Sequence, residues 1–433
     1  MQEYGSFSAQ ERAALLEQLR EEYAVFQGLG LKLDMSRGKP GADQLDLSAA
    51  LLDAALLDPP KTETGFDCRN YGLLDGIPEA KRLFAALLDL PAEQILVCGN
   101  SSLNLMYDYL AQCMLFGADG EPWAAQKKIK FLCPTPGYDR HFSILEHLGI
   151  EMIAVPMREN GPDMAFVEQL VRDESVKGLI CVPKYSNPEG KTYSDETVCR
   201  LAALHPAAKD FRVIWDNAYL VHDLYDATDP LLNIFTAARD CGTEDHFIEV
   251  TSFSKISFPS AGISAIAASP ANLAAIQARM AIQTIGHDKL NQLRHFRFFR
   301  DARGIYDHMQ KHAAILRPKF ETVLAALEQD LGGAGIASWT NPRGGYFISL
   351  DILGGCAKRT GQLCKEAGVV LTPPGATYPY GRDPEDKNLR IAPTFPPVAE
   401  LEQACALLTL CVRIAALEKL GEQESPAGKR EQR

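Results

Sequence analysis

The chain has 433 residues, enough for two or three domains, and 46% of them are hydrophobic, so a sizeable core can be buried and disorder is excluded for most of the length. Lys plus Arg number 44 against 56 Asp plus Glu, a formal charge of −12 that repels phosphate backbones and argues against a nucleic-acid or membrane-surface protein. No apolar stretch approaches the ~18 residues of a membrane span, and the opening MQEYGSFSAQERAALL has neither the basic nor the apolar region of a leader. Eleven cysteines, spread from Cys68 to Cys411, form no C-x-x-C pair, so the expectation is a cytoplasmic protein with reduced, mostly buried thiols and no metal site.

The first element is a helix. Ser8 and Glu11 form a capping box, Leu15, Leu19, Tyr23 and Phe26 recur at helical spacing, and Gly28 and Gly30 end it. A second helix starts at Pro78, a good first-turn residue. From residue 95 short β-rich runs alternate with helical stretches: Ile95–Val97, Ile129–Cys133, Met152–Val155, Leu179–Val182, Val213–Trp215, Phe247–Val250 and Gly262–Ala267. Nearly continuous apolar runs separated by helices predict an α/β fold with a mainly parallel, doubly wound sheet buried on both faces. A charged helical region is expected from Asn272 to Asp330, followed by strands at Tyr346–Leu350, Val369–Leu371 and Leu389–Ile391 in a smaller α+β domain, and by a polar, frayed tail from Gly421. The corresponding division is an N-terminal helix and arm at 1–50 belonging to the small domain, a large domain at 51–315, the small domain at 316–420 and a tail at 421–433.

Three generic motifs fail. Gly190-Lys191-Thr192 resembles the end of a P-loop, but Tyr185 occupies the place of its first glycine. Gly28-x-Gly30 follows a helix and lacks a third glycine. His308 and His312 are four apart but lack the metalloprotease Glu between them, which predicts a solvated helix face.

Chemistry-bearing residues instead fall just after apolar runs, where open α/β sheets bind ligands. Lys255 lies among hydroxyls in Thr251-Ser-Phe-Ser-Lys255 and is followed by Ile-Ser-Phe-Pro; a partly desolvated lysine there has a lowered pKa and can form a Schiff base. Asp216 closes the run Val213-Ile-Trp, with Tyr219 three residues on. It is either a helix cap or a carboxylate that keeps a pyridine nitrogen protonated. Ser186-Asn187-Pro188 reads alone as a turn, and Gly99-Asn-Ser101-Ser102 either caps a helix or binds a phosphate at its N-terminus.

The order and spacing of these segments resemble the class I aminotransferases, pyridoxal-phosphate enzymes of fold type I. The likeness runs from Ser36 to Pro397 and rests on Ser36-Arg-Gly-Lys-Pro40, Asn70-Tyr71-Gly, Pro134-Thr-Pro-Gly-Tyr138, Asn187-Pro-Glu-Gly190, Asp216-Asn-Ala-Tyr219, Ser252-Phe-Ser-Lys255, Gly344-Gly-Tyr-Phe347 and Leu389-Arg390-Ile. Within the class, the Ser-Arg-Gly-Lys-Pro opening and Ser-Lys-Ile-Ser-Phe-Pro-Ser-Ala-Gly262 are similar to a branch holding certain bacterial aspartate aminotransferases and the aminotransferase-like domain of some regulators.

The resemblance implies transamination between an acidic amino acid and a 2-oxo acid such as 2-oxoglutarate, with pyridoxal 5′-phosphate as cofactor. It makes Lys255 the Schiff-base lysine and proton shuttle. Asp216 would be the partner of the pyridinium nitrogen, Asn187 and Tyr219 the ligands of the ring oxygen, and Tyr138 the stacking aromatic. Ser101, Ser102 and Ser252 would hold the phosphate, and Tyr71 the phosphate of a neighbouring subunit, hence a homodimer with shared sites. Arg390 would clamp the substrate α-carboxylate near Gly38. Two departures stand out. Residues 256–271 contain no cation where many relatives place a phosphate-binding arginine, and Lys184 has no assigned role. For the distal carboxylate of a dicarboxylic substrate Lys289 is the expected anchor, with His287 and Arg37 as alternatives. A lyase or decarboxylase on the same scaffold and an alanine-type aminotransferase are the competing readings. A ligand-sensing regulator is disfavoured by the short acidic segment ahead of Ser36.

Overall fold

Strands that are apolar on both faces have to be covered on both faces, and a wide central sheet between helical layers does this here. The computed structural model describes residues 3–424. Its strands run β1 (Leu33–Met35), β2 (Ile95–Cys98), β3 (Lys130–Thr135), β4 (Glu151–Arg158), β5 (Gly161–Pro162), β6 (Val176–Cys181), β7 (Arg212–Asp216), β8 (Phe247–Ser252), β9 (Ser264–Ala268), β10 (Ala337–Trp339), β11 (Ile348–Ile352), β12 (Val369–Leu371) and β13 (Asn388–Ile391). Eight of them form the central sheet in the order β2-β9-β8-β7-β6-β3-β4-β5. β4, β3, β6, β7 and β8 are parallel; β9 is antiparallel to β8, and β2 is antiparallel to β9 and so runs with the parallel set. Every residue of β6, β7, β8 and β9 is buried. Successive side chains enter opposite layers: Phe247 joins the core around Phe84 and Trp215, and Ile248 the core around Trp123 and Phe131.

A third core lies apart from the sheet. Tyr4, Leu19 and Tyr23 pack there with Phe320, Leu327, Leu350 and Leu408. β1 pairs in parallel with β12, and β10-β11-β13 form an antiparallel sheet. The N-terminal residues thus join the last third of the chain. We propose the division into a large unit at 51–315 and a small unit of 1–50 with 316–420 on this separation of cores. Its later boundary falls inside a continuous helix, Ala302–Leu331, whose Ile305 and Met309 face the sheet core while Leu316, Phe320 and Leu327 face the third.

The capping box at Ser8 and the Pro78 start are present in the helices Ala9–Gly28 and Pro78–Leu88. The expected helical region 272–330 is three helices, Pro270–Gln283, Lys289–Phe299 and Ala302–Leu331. Asp288 and Asp301 restart the chain as caps, accepting from Asn291 and Gly304, and Arg300 turns it at φ 68°. The strand expected at 262–267 begins at Ser264, because Ile263 is still engaged in the turn that follows β8. That expected at 346–350 begins at Ile348, because Gly344 and Gly345 lie against Tyr185. β1, β5 and β10, of two or three residues each, carry no sequence signal. At the other end the helix Val398–Glu424 runs past Gly421, and the rest of the expected tail, 425–433, lies outside the described residues.

His308 and His312 do not face solvent; they are 4% and 1% exposed. They lie beneath the N-terminal arm, where Ser48 and Gln44 meet their ring nitrogens at 3.2 and 3.0 Å, and His308 Nε2 meets the Ile256 carbonyl at 3.0 Å. A polar residue is buried where folding supplies partners from elsewhere in the chain.

Candidate active site

The strands of the parallel set end on one edge of the sheet, and the segments that follow them converge there. Gly99–Ser102 follows β2, Tyr138 follows β3, Asn187 follows β6, Asp216 ends β7 and Lys255 follows β8. Ser101, Ser102, Tyr138, Asn187, Asp216, Tyr219, Ser252 and Lys255 line a single cavity of about 220 Å³. A larger cleft of about 760 Å³, between Glu189–Asp195 and Ser338–Asp351, contains none of them.

No helix follows Asp216, so the helix-cap reading is ruled out. Its carboxylate is 2% exposed; Oδ2 meets His141 Nε2 at 2.9 Å, and the buried Oδ1 has no hydrogen-bond partner. Lys255 Nζ lies 4.9 Å from the Tyr219 ring centroid and 5.9 Å from that of Tyr346. Burial pulls the lysine pKa below its usual value, and the Asp216 charge opposes this. Burial also holds the Tyr219 phenol protonated, far above its usual range. His222 packs edge-on against Tyr219 and Tyr346, and burial keeps its imidazole neutral. The Tyr346 hydroxyl donates to the Lys255 carbonyl at 3.4 Å and accepts from Gln44 at 3.1 Å, which ties the lysine turn to the N-terminal arm.

At the opposite end the cavity is lined by hydroxyls. Ser101 occupies the N-cap of the helix Ser102–Phe116, yet its side chain makes no capping bond. Ser252 donates to Ser254 at 3.2 Å, and Ser254 to the Asn100 carbonyl at 2.7 Å. Lys255 is the cation among the lining residues, so the missing arginine has no substitute in the cavity wall.

Arg390, on β13, is not in the cavity wall but bonds to Asn187, which is. Its Nε donates to Thr372 at 3.2 Å, Nη1 donates to Asn187 Oδ1 at 3.2 Å and to Asp139 at 2.6 Å, and the guanidinium lies 4.8 Å over the Phe347 ring. Because Asn187 accepts through its oxygen, its amide hydrogens remain available as donors. Gly38 is pressed against the same ring; a Cβ there would come within 2.8 Å of two Phe347 atoms. Thr372 and Thr394 fasten the arm by donating to the Ser36 and Lys39 carbonyls.

Gly38 and the other expected residues are not in the cavity wall either. Tyr71 is 77% exposed. Arg37 is exposed on the arm. Lys289 is buried, with Nζ donating to the His287 carbonyl at 3.2 Å and packed beneath Gly286, itself beside the Gly72 carbonyl. Lys184 is structural: its ammonium pairs with Asp223 at 3.0 Å and donates to the Leu220 carbonyl at 3.0 Å.

Residues 7–424 match the family described as aspartate amino-transferase. The chain belongs to the aspartate aminotransferase family. It is 45% identical to an aspartate aminotransferase of Corynebacterium glutamicum over 414 residues, 95% of this chain and 96% of that protein. The crystal structure of an aspartate transaminase from that organism superposes with a TM-score of 0.94 over 96% of this chain and 99% of that one, also at 45% identity. An α-aminoadipate aminotransferase of Thermus thermophilus, crystallised with N-(5′-phosphopyridoxyl)-L-leucine, shares the fold at 20% identity and a TM-score of 0.73, covering 90% and 93% of the two chains.

The chain is thus an aminotransferase of fold type I, and its own residues fit the family's cofactor. A buried carboxylate oxygen lacks a donor, a serine at a helix N-terminus is unused as a cap, and a desolvated lysine shares their cavity. His141 and Asp139 of this aminotransferase escaped the sequence reading. The motif Pro134-Thr-Pro-Gly-Tyr138 stops just short of both, and one turn of helix carries His141 from Tyr138 to Asp216. Tyr346 lay inside a quoted motif with no role attached.

Proposed function

We propose that this aminotransferase moves the amino group of aspartate to a 2-oxo acid such as 2-oxoglutarate, with pyridoxal 5′-phosphate carried on Lys255. The observation that carries the reading is the unpartnered, buried Oδ1 of Asp216 in the same cavity as a desolvated lysine. Asp216, oriented by His141, would hold the ring nitrogen protonated. Tyr138 would cover the ring, and Asn187 and Tyr219 would donate to its oxygen. Ser101, Ser102 and Ser252 would bind the phosphate with the amides of the helix start. The cofactor supplies an electron sink for the bond broken at the substrate Cα. Lys255, with its lowered pKa, would take the Cα proton and return it, and Arg390 would orient the substrate through its α-carboxylate.

The preference for aspartate draws support from the C. glutamicum relative. A homodimer with Tyr71 at the partner's phosphate is supported by the surface: Tyr71, Ile282 and Ile285 are 77%, 90% and 62% exposed, and Gly286 meets Gly72 beside them. A cytoplasmic location accords with eleven unpaired cysteines, nine of them buried. Among the described residues no helix is long and apolar enough to cross a membrane.

The test is a half-reaction screen of the amino acids on the holoenzyme, watching the cofactor absorbance change as the amino group is transferred. Aspartate and glutamate should convert it. Release of ammonia or carbon dioxide from a single substrate, with no half-reaction, would replace transamination by lyase or decarboxylase chemistry.

A further inference from the structure

We propose that Asp139 is an internal stand-in for the substrate carboxylate: it neutralises Arg390 in the free enzyme, and the incoming α-carboxylate has to displace it. The inference rests on the reading of Arg390 as the substrate clamp.

The Arg390 side chain is 5% exposed, and among the described residues Asp139 is the one carboxylate paired with it, at 2.6 Å. A buried guanidinium without a counter-charge is strongly unfavourable, so the empty site needs this partner. The same bond obstructs the clamp. Arg390 Nε is committed to Thr372, and Nη1 is shared between Asn187 and Asp139. A carboxylate that grips the fork with both oxygens needs two N–H groups side by side, either Nε with Nη2 or Nη1 with Nη2; Nε is held by Thr372, which leaves the edge formed by Nη1 and Nη2. Substrate and Asp139 therefore compete for one donor.

Displacement is feasible because the two partners are unequally buried. Asp139 is 29% exposed at the side chain and can turn to water while Arg390 cannot. Asp139 is also the first residue of the helix Asp139–His147, where the free amides of the first turn favour a carboxylate that has let go of its partner. The bond joins that helix of the sheet unit to β13 of the small unit, so substrate binding exchanges a contact between the units for one of its own.

Asp139 is thus a positioning residue that sets an affinity threshold. The apparent affinity is the intrinsic affinity multiplied by the fraction of enzyme with Arg390 released. Small anions that cannot form the full set of substrate contacts are excluded, and a true substrate still binds.

The experiment titrates the holoenzyme with succinate and with acetate by calorimetry, in wild type, Asp139→Asn and Arg390→Lys, alongside KM and kcat for aspartate. Asp139→Asn should bind both anions roughly tenfold more tightly and lower KM without raising kcat, whereas a merely structural role would weaken binding. Asp139→Glu should return toward wild-type affinity. Unchanged or weaker succinate binding in Asp139→Asn overturns the proposal. Asp139→Ser carries the same expectation should Asp139→Asn not fold. Succinate affinity that survives Arg390→Lys would instead defeat the clamp reading itself, while loss in Arg390→Lys with no gain in Asp139→Asn would defeat the stand-in alone.

Discussion

Asp216→Asn separates what the carboxylate does for the fold from what it does for the reaction. Asn preserves the shape and one acceptor but removes the charge. Two effects oppose each other in the cofactor-free protein. The charge-assisted contact with His141 at 2.9 Å is weakened, at a cost of about 1.5–3 kcal/mol. A neutral amide is less costly to bury than a carboxylate whose Oδ1 has no partner, and this returns a similar amount. The two nearly cancel, so the cofactor-free variant should melt within about 2 °C of wild type, at about 1 °C per kcal/mol for a chain of this size. With cofactor bound the balance is lost, because the ring nitrogen has no charged partner. Loss of one charged hydrogen bond weakens cofactor binding about 10–150-fold. kcat should fall by at least that factor, since the charge matters more in the transition state than in the ground state. Melting scans of the cofactor-free and loaded forms, cofactor titration and steady-state kinetics measure each part. A kcat within about threefold of wild type would refute the reasoning. A drop of more than about 5 °C in the cofactor-free protein would make Asp216 a structural residue.

Lys255→Ala should abolish the absorbance band of the lysine-bound cofactor and reduce turnover by orders of magnitude; near-normal turnover would remove the lysine from the chemistry. Replacing Ser101 and Ser102 together by Ala should weaken cofactor binding by about 1.5–3 kcal/mol per charged hydrogen bond lost, and an unchanged dissociation constant would mean that another group holds the phosphate. His312 is pulled to about 4, first by burial and then by His308, whereas an unfolded imidazole titrates near 6.5. The unfolded chain therefore binds the extra proton between these values, and stability that is complete above pH ~6.5 declines as the pH falls toward 4, by about 1.4 kcal/mol per pH unit for one proton. Denaturant midpoints at pH 7 and 5 should lie closer together in His312→Gln than in wild type, and an equal gap would refute the assignment. Lys289, buried beneath the loop of Tyr71 with its Nζ on the His287 carbonyl, should act as a support for that loop, so Lys289→Ala should lower kcat/KM for aspartate, glutamate and alanine alike; a loss confined to the two dicarboxylates would make it the distal anchor instead.

Local chemistry marked much of this molecule in its sequence. β6, β7 and β8 were legible because a strand buried on both faces is apolar along most of its length, and the starts of the helices at Ser8 and Pro78 because a cap satisfies amides within one turn. Lys255, Asp216, Asn187, Tyr219 and Ser101 were legible because parallel strands of one sheet end on one edge, so residues that follow apolar runs are brought together whatever joins them. The tertiary structure alone decided which charges and polar groups meet. His141 finds Asp216 across 75 residues, and Asp139 finds Arg390 across 251. His308 and His312 are buried because Gln44 and Ser48 arrive from more than 200 residues away to bond them. An apolar side chain is buried by its own transfer free energy and so announces itself locally, whereas a polar side chain can be buried only where a partner is delivered by the fold, and nothing in its immediate sequence records that partner.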